Sequence, residues 1–158
     1  MKPAVAFALL FAASLGPFPA LAADAPILGA WAVDVSRLPV PPEARPRSVT
    51  MTFSEAGEGK YRTEVDIVFA DGTESHGSST YSLDGSAAPV VGSPEADISA
   101  VTMPEPDVLV MALGKDGRGG SIRVFAVAPD GETMTETASY YRPDGTPVMR
   151  INHFTRVR

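Results

Sequence analysis

The sequence predicts an all-β fold, an antiparallel meander that closes into a barrel of about eight to ten strands, and three observations point to it. Five Asp-Gly pairs punctuate the chain: Asp71-Gly72, Asp84-Gly85, Asp116-Gly117, Asp130-Gly131 and Asp144-Gly145. Between them lie runs rich in Val, Ile, Thr, Tyr and Phe with alternating polarity, the pattern of strands joined by tight turns. No segment after residue 22 sustains the three- and four-residue apolar spacing that a helix requires.

The chain opens on Met1-Lys2, followed by an almost wholly apolar run from Pro3 to Leu15. Gly16-Pro17 breaks any helix there, and Ala20-Leu21-Ala22 has the small-x-small form that a signal peptidase reads. The apolar run is shorter than the roughly 20 residues needed to span a bilayer. A cleavable signal peptide at 1–22 is therefore expected, with a periplasmic or secreted location after cleavage near Ala22 and one domain in 23–158. The chain has no cysteine, which excludes disulfides and a lipidated N-terminal cysteine. Its 13 basic residues stand against 19 acidic ones, with no run of Lys or Arg. Nucleic acid and anionic membrane surfaces are poor partners for such a chain. No later apolar stretch is long enough to span a membrane.

Strands are expected at about 28–35, 47–54, 60–70, 73–83, 97–103, 107–114, 120–128, 132–142 and 147–157. The period is cleanest in 60–70, where Tyr61, Thr63, Val65, Ile67 and Phe69 share one face and Arg62, Glu64 and Asp66 the other. Proline before Asp130-Gly131 and Asp144-Gly145 pre-sets φ for a turn. Two stretches read as irregular. Residues 39–46, with four prolines, predict an extended connection between the first two strands. Residues 84–96 predict a long loop. The hairpin at 107–128 is apolar on both faces: Val108, Val110 and Ala112 oppose Leu109, Met111 and Leu113. It needs cover from a loop, a chain terminus or a second copy, as in a homodimer.

Closing the meander removes the free edges that make an open sheet prone to aggregation. An outer-membrane barrel would present an apolar outer band, whereas 60–70 and 132–142 carry charged faces that suit water. The first strand contains Gly29-Ala30-Trp31, which resembles the Gly-x-Trp signature of lipocalins. The run GAWAVDVSRLPVPPEARPRSVTMTF, the repeated Asp-Gly hairpins, PVVGSPEAD and the closing MRINHFTRV together resemble small secreted or periplasmic proteobacterial proteins described as lipocalin-like. That resemblance covers nearly all of 27–157. It implies an arginine of the last strand packed across Trp31, with Arg156 as the first choice and Arg150 as the second. From the residues alone, Trp31 is the single tryptophan, at a strand start, and reads as a structural anchor.

Catalytic and metal-binding patterns are faint. The two histidines, His76 and His153, lack ligand spacing, and no Gly-x-Ser-x-Gly elbow is present. Lys115–Gly120 lacks the strand–loop–helix setting of a phosphate cradle and reads as a hairpin loop. Neither an enzyme nor a cofactor is expected. Glu136 enters the lumen if Met134, Ala138 and Tyr140 point inward; one residue of slip sends Thr133, Thr135 and Thr137 there instead. An inward Glu136 would need a partner such as Arg123 or Arg150.

Two functions remain in view. The first is a lipocalin-like protein that holds a small apolar or amphipathic ligand in its lumen. Tyr61, Val65, Ile67, Phe69, Tyr81, Val110, Phe125, Glu136 and Tyr140 are the candidate lining. The second is a non-enzymatic interaction module with a filled core, either an envelope scaffold or a protease inhibitor.

Overall fold

A computed structural model describes residues 25–158; the expected signal peptide lies outside the described residues. The strands are β1 (Gly29–Val33), β2 (Ser48–Gly57), β3 (Lys60–Val68), β4 (Glu74–Tyr81), β5 (Asp84–Val91), β6 (Ile98–Glu105), β7 (Val108–Lys115), β8 (Arg118–Val127), β9 (Thr133–Tyr141) and β10 (Pro147–Arg156). Each pairs antiparallel with the next, and β10 returns to β1, so the ten strands form a closed barrel. The seam sets Trp31 opposite Arg156, Ala32 opposite Thr155 and Val33 opposite Phe154. Closure gives every strand a neighbour on both sides, though β4 and β5 pair at only two positions.

The turns follow from their residues. Glu58 (φ 52°) and Asp116 (φ 50°), each followed by a left-handed glycine, form the two-residue hairpins β2–β3 and β7–β8. Positive φ at both central positions matches the twist of the flanking strands. Asp71, Asp130 and Asp144 instead cap wider turns by accepting the backbone N–H two residues ahead.

Hydrogen bonds of this kind lower carboxyl pKa values. The Ser36 hydroxyl on Asp34, the Thr73 hydroxyl on Asp71 and the Ser86 hydroxyl on Asp84 hold those carboxyls below the usual 3.8. The Glu132 N–H does the same for Asp130, and the Thr146 N–H for Asp144. Because the folded values lie below the unfolded one, the unfolded chain binds more protons in this window. The stabilisation is present above pH 3.8 and is lost as pH falls through the lower folded values. Urea melts should show a lower midpoint at pH 3 than at pH 5. Combining Asp71→Asn, Asp130→Asn and Asp144→Asn, which keep an acceptor without its charge, should flatten that difference.

Two expectations need correction. Residues 84–91 are not a loop but β5, which pairs with β6 through Asp84, Ala87, Ala88 and Pro89 and with β4 only through Ser78 and Ser79. Small residues and a proline conceal this strand, and the ring needs it to bridge β4 and β6. Only 92–97 remains a loop. Val110 points outward with Val108 and Ala112, while Leu109 and Met111 on the other face are 1% and 4% exposed. The connection between β1 and β2 contains two short 3-10 turns, Val35–Arg37 and Pro42–Ala44. It crosses one end of the barrel.

Candidate functional site

The two ends of the lumen are built differently. At the end where β1 begins, Ile27, Trp31, Val101, Leu109, Phe125 and Met134 are almost completely buried. Phe53 and Phe154 meet Phe125 edge to face, with ring centroids 5.4 and 6.3 Å away. Trp31 donates its Nε1–H to the Ile27 carbonyl at 2.9 Å. The Arg156 guanidinium lies over the indole with its carbon 4.1 Å from the ring centroid. It donates to the carbonyls of Gly131, Leu28 and Pro26 at 2.6, 2.8 and 2.6 Å. One side chain thus fastens the β8–β9 turn and the lead-in to β1 across the floor. Gly29 (φ 116°) makes room for it, since a Cβ there would lie 2.8 Å from Arg156 Nη1.

The opposite half holds a cavity of about 320 Å³. Val49, Met51, Val65, Ile67, Phe69, Met111 and Leu113 form much of its wall. The β1–β2 connection covers it with Leu38, Pro39, Val40 and Ala44, and the 92–97 loop with Ser93, Pro94, Glu95 and Ala96. The loop is held close: Gly92 has φ 74°, and a Cβ there would collide with the His76 carbonyl.

Polar groups enter this apolar space from adjacent strands. Register places Glu136 of β9 directly opposite Asn152 of β10 and opposite Phe125 of β8, one inward position from Arg123. Glu136 is 2% exposed. It accepts from Arg123 Nη1 at 3.0 Å and from Asn152 Nδ2 at 2.5 Å. The other arm of Arg123 donates to Glu95 at 2.6 Å, tying the covering loop to the lumen wall. Such charge-assisted bonds offset the cost of burying a carboxylate. On the far wall Ser79 bonds Ser99 and the Pro89 carbonyl, and Thr63 bonds Tyr81 at 2.6 Å. Burial pushes the Tyr81 hydroxyl above its usual pKa, against the opposing effect of the Thr63 bond.

Among the described residues, two buried side-chain atoms have no hydrogen-bond partner: Arg150 Nε and Asn152 Oδ1. Both residues line the cavity. Because Asn152 donates Nδ2–H to the Glu136 carboxyl, its Oδ1 is directed away from that group. Arg150 has no carboxylate within 4.0 Å among the described residues; its guanidinium carbon lies 5.9 Å from the Tyr140 ring centroid.

Of the residues singled out from the sequence, Val65, Ile67, Phe69 and Glu136 line the cavity. Tyr61, Tyr81 and Phe125 belong to the packed core below it. Tyr140 shares the inward face of β9 but sits at the rim beside Arg150. Val110 faces away. Arg123 was foreseen as a partner for Glu136, and Arg156 as the arginine over Trp31; both make those contacts. Asn152 was missed, because a lone asparagine in a strand carries no signal until its register is known.

On the outer wall His76 Nδ1 contacts Asp66 at 2.6 Å, with both side chains more than half exposed. Among the described residues no group of three or more His, Cys, Asp or Glu is arranged to hold a metal ion. No described helix is long and apolar enough to cross a membrane. Comparison with protein-family models and with curated proteins finds no match.

Proposed function

We propose that this protein is an exported, non-enzymatic, lipocalin-like binding protein that holds one small apolar or amphipathic molecule in the upper half of its barrel. The observation that carries this reading is the cavity of about 320 Å³, walled by aliphatic side chains with a few convergent polar groups. Ligand pockets have this composition and start near about 300 Å³. The lower half, closed by Trp31 and Arg156, supplies the rigid base. The signal-like N-terminal sequence supports a periplasmic or secreted location.

One observation favours an interaction role beside it. Ile122, Tyr141, Met149 and Ile151, on the outer face of β8–β10, are 55–72% exposed. The outward side of the β7–β8 hairpin adjoins this patch, and an exposed apolar surface of this kind supports a homodimer through it. Native mass spectrometry of protein purified from periplasm addresses both roles. The expected spectrum shows a small-molecule adduct that denaturation releases. A ligand-free protein with a stoichiometric protein partner would favour the interaction role and count against the carrier.

A further inference from the structure

The unpartnered atoms in the cavity specify what kind of molecule fits it. Buried polar groups are nearly always paired, so an orphan donor and an orphan acceptor on neighbouring inward positions of one strand require an explanation. Arg150 Nε is a donor with nothing to donate to, and Asn152 Oδ1 is an acceptor with nothing to accept from. They lie two residues apart on the same face of β10. Asn152 is only 6% exposed, and both residues line the cavity.

The charges nearby divide unevenly. Arg123 is committed to Glu136 and Glu95, at 3.0 and 2.6 Å. Arg150 is the cavity's other guanidinium, and no described carboxylate pairs with it. A guanidinium matches the planar, two-oxygen geometry of a carboxylate. Asn152 Oδ1 in turn wants an O–H or N–H close to that carboxylate. Around these two groups the wall is aliphatic: Val49, Val65, Ile67 and Leu113. A cavity of about 320 Å³ is at the lower end of the range for small-molecule sites and suits an aliphatic chain of medium length.

Resting on the carrier reading above, we propose that the ligand is an aliphatic chain of about this length ending in a carboxylate with a hydroxyl or amide N–H beside it. The carboxylate pairs with Arg150, and the neighbouring donor bonds Asn152 Oδ1. A hydroxylated or N-acylated medium-chain acid has this chemistry.

Isothermal titration of the purified protein with 3-hydroxydecanoate, decanoate and 1-decanol tests the proposal without relying on any variant. Replacing the alcohol by the carboxylate should tighten binding roughly 10-fold to 100-fold, and adding the 3-hydroxyl about three-fold to ten-fold more. Arg150→Met, which removes a side chain with no described ion-pair partner, should abolish the preference for carboxylate over alcohol. Equal affinity for decanol and the two acids would overturn the head-group assignment and leave the carrier reading standing. Acids that bind equally well to wild type and Arg150→Met would also overturn it. No binding by any of the three would overturn both.

Discussion

Replacing Trp31 with alanine is expected to lower the stability of the barrel by about 3–5 kcal/mol, the range for removing a fully buried large aromatic. Trp31 is 0% exposed and fills the closed end beneath the seam. Its removal opens a void among Met51, Phe53 and Phe154, which the surrounding strands cannot collapse without breaking closure. The stacked Arg156 loses its aromatic partner as well, worth about 1 kcal/mol. Trp31→Phe separates these contributions. It keeps most of the apolar area but strips the Ile27 carbonyl of its 2.9 Å donor, so about 1–3 kcal/mol is expected for that variant. Urea denaturation followed by far-ultraviolet circular dichroism measures both. A Trp31→Ala midpoint within error of wild type would mean that the floor is not the keystone described here.

The second large effect is expected at Glu136. Glu136→Ala should destabilise by about 3 kcal/mol, near the lower end of the range for breaking a buried ion pair. The lower end applies because Arg123, 15% exposed, keeps Glu95. Asn152 has no such recourse: its Nδ2 would join Oδ1 as an unpaired buried group. Glu136→Gln keeps one acceptor, for Arg123, and donates its Nε2–H to an Asn152 amide turned over to present Oδ1, so it should cost about 1 kcal/mol. Differential denaturation of the two variants gives the ordering. A Glu136→Gln loss equal to that of Glu136→Ala would show that charge, not hydrogen-bond satisfaction, holds the cluster. The same variants read on the loop side, because the Glu95–Arg123 link is left without its buried anchor. Hydrogen exchange in the 92–97 loop should rise in Glu136→Ala and change little in Glu136→Gln.

The fold was legible because its signals are local. Asp-Gly turns and two-residue alternation act over a handful of positions; Asp-Gly pairs mark the β3–β4, β7–β8, β8–β9 and β9–β10 turns, while Asp84-Gly85 falls at the start of β5 itself. There Pro89 and a run of small residues erase the pattern, and only the need to close the ring recovers the strand. Alternation also tells which face a residue occupies but not how deep along the barrel axis it lies. Tyr61, Tyr81 and Phe125 were placed correctly inward, yet stagger between strands carries them to the packed floor while Val65 and Ile67 reach the cavity. Val110 failed for another reason: both faces of β7 are apolar, so alternation could not choose. The barrel sends the longer Leu109 and Met111 inward and leaves β-branched Val108 and Val110 on the outer face, where they suit the extended backbone. Residues of the polar cluster stand on separate strands and the covering loop, and their meeting depends on registers that no short motif encodes.

The seam between β1 and β10 also sets an order of events. Its partners come from opposite ends of the described chain, so every intervening hairpin must be in place before the ring can shut. Contacts of this range are slow to form, because a long loop of chain has to be gathered first. Until the last strand arrives, the nascent sheet is an open ribbon with two bare flanks and no enclosed interior. The cavity therefore does not exist on a partly made chain.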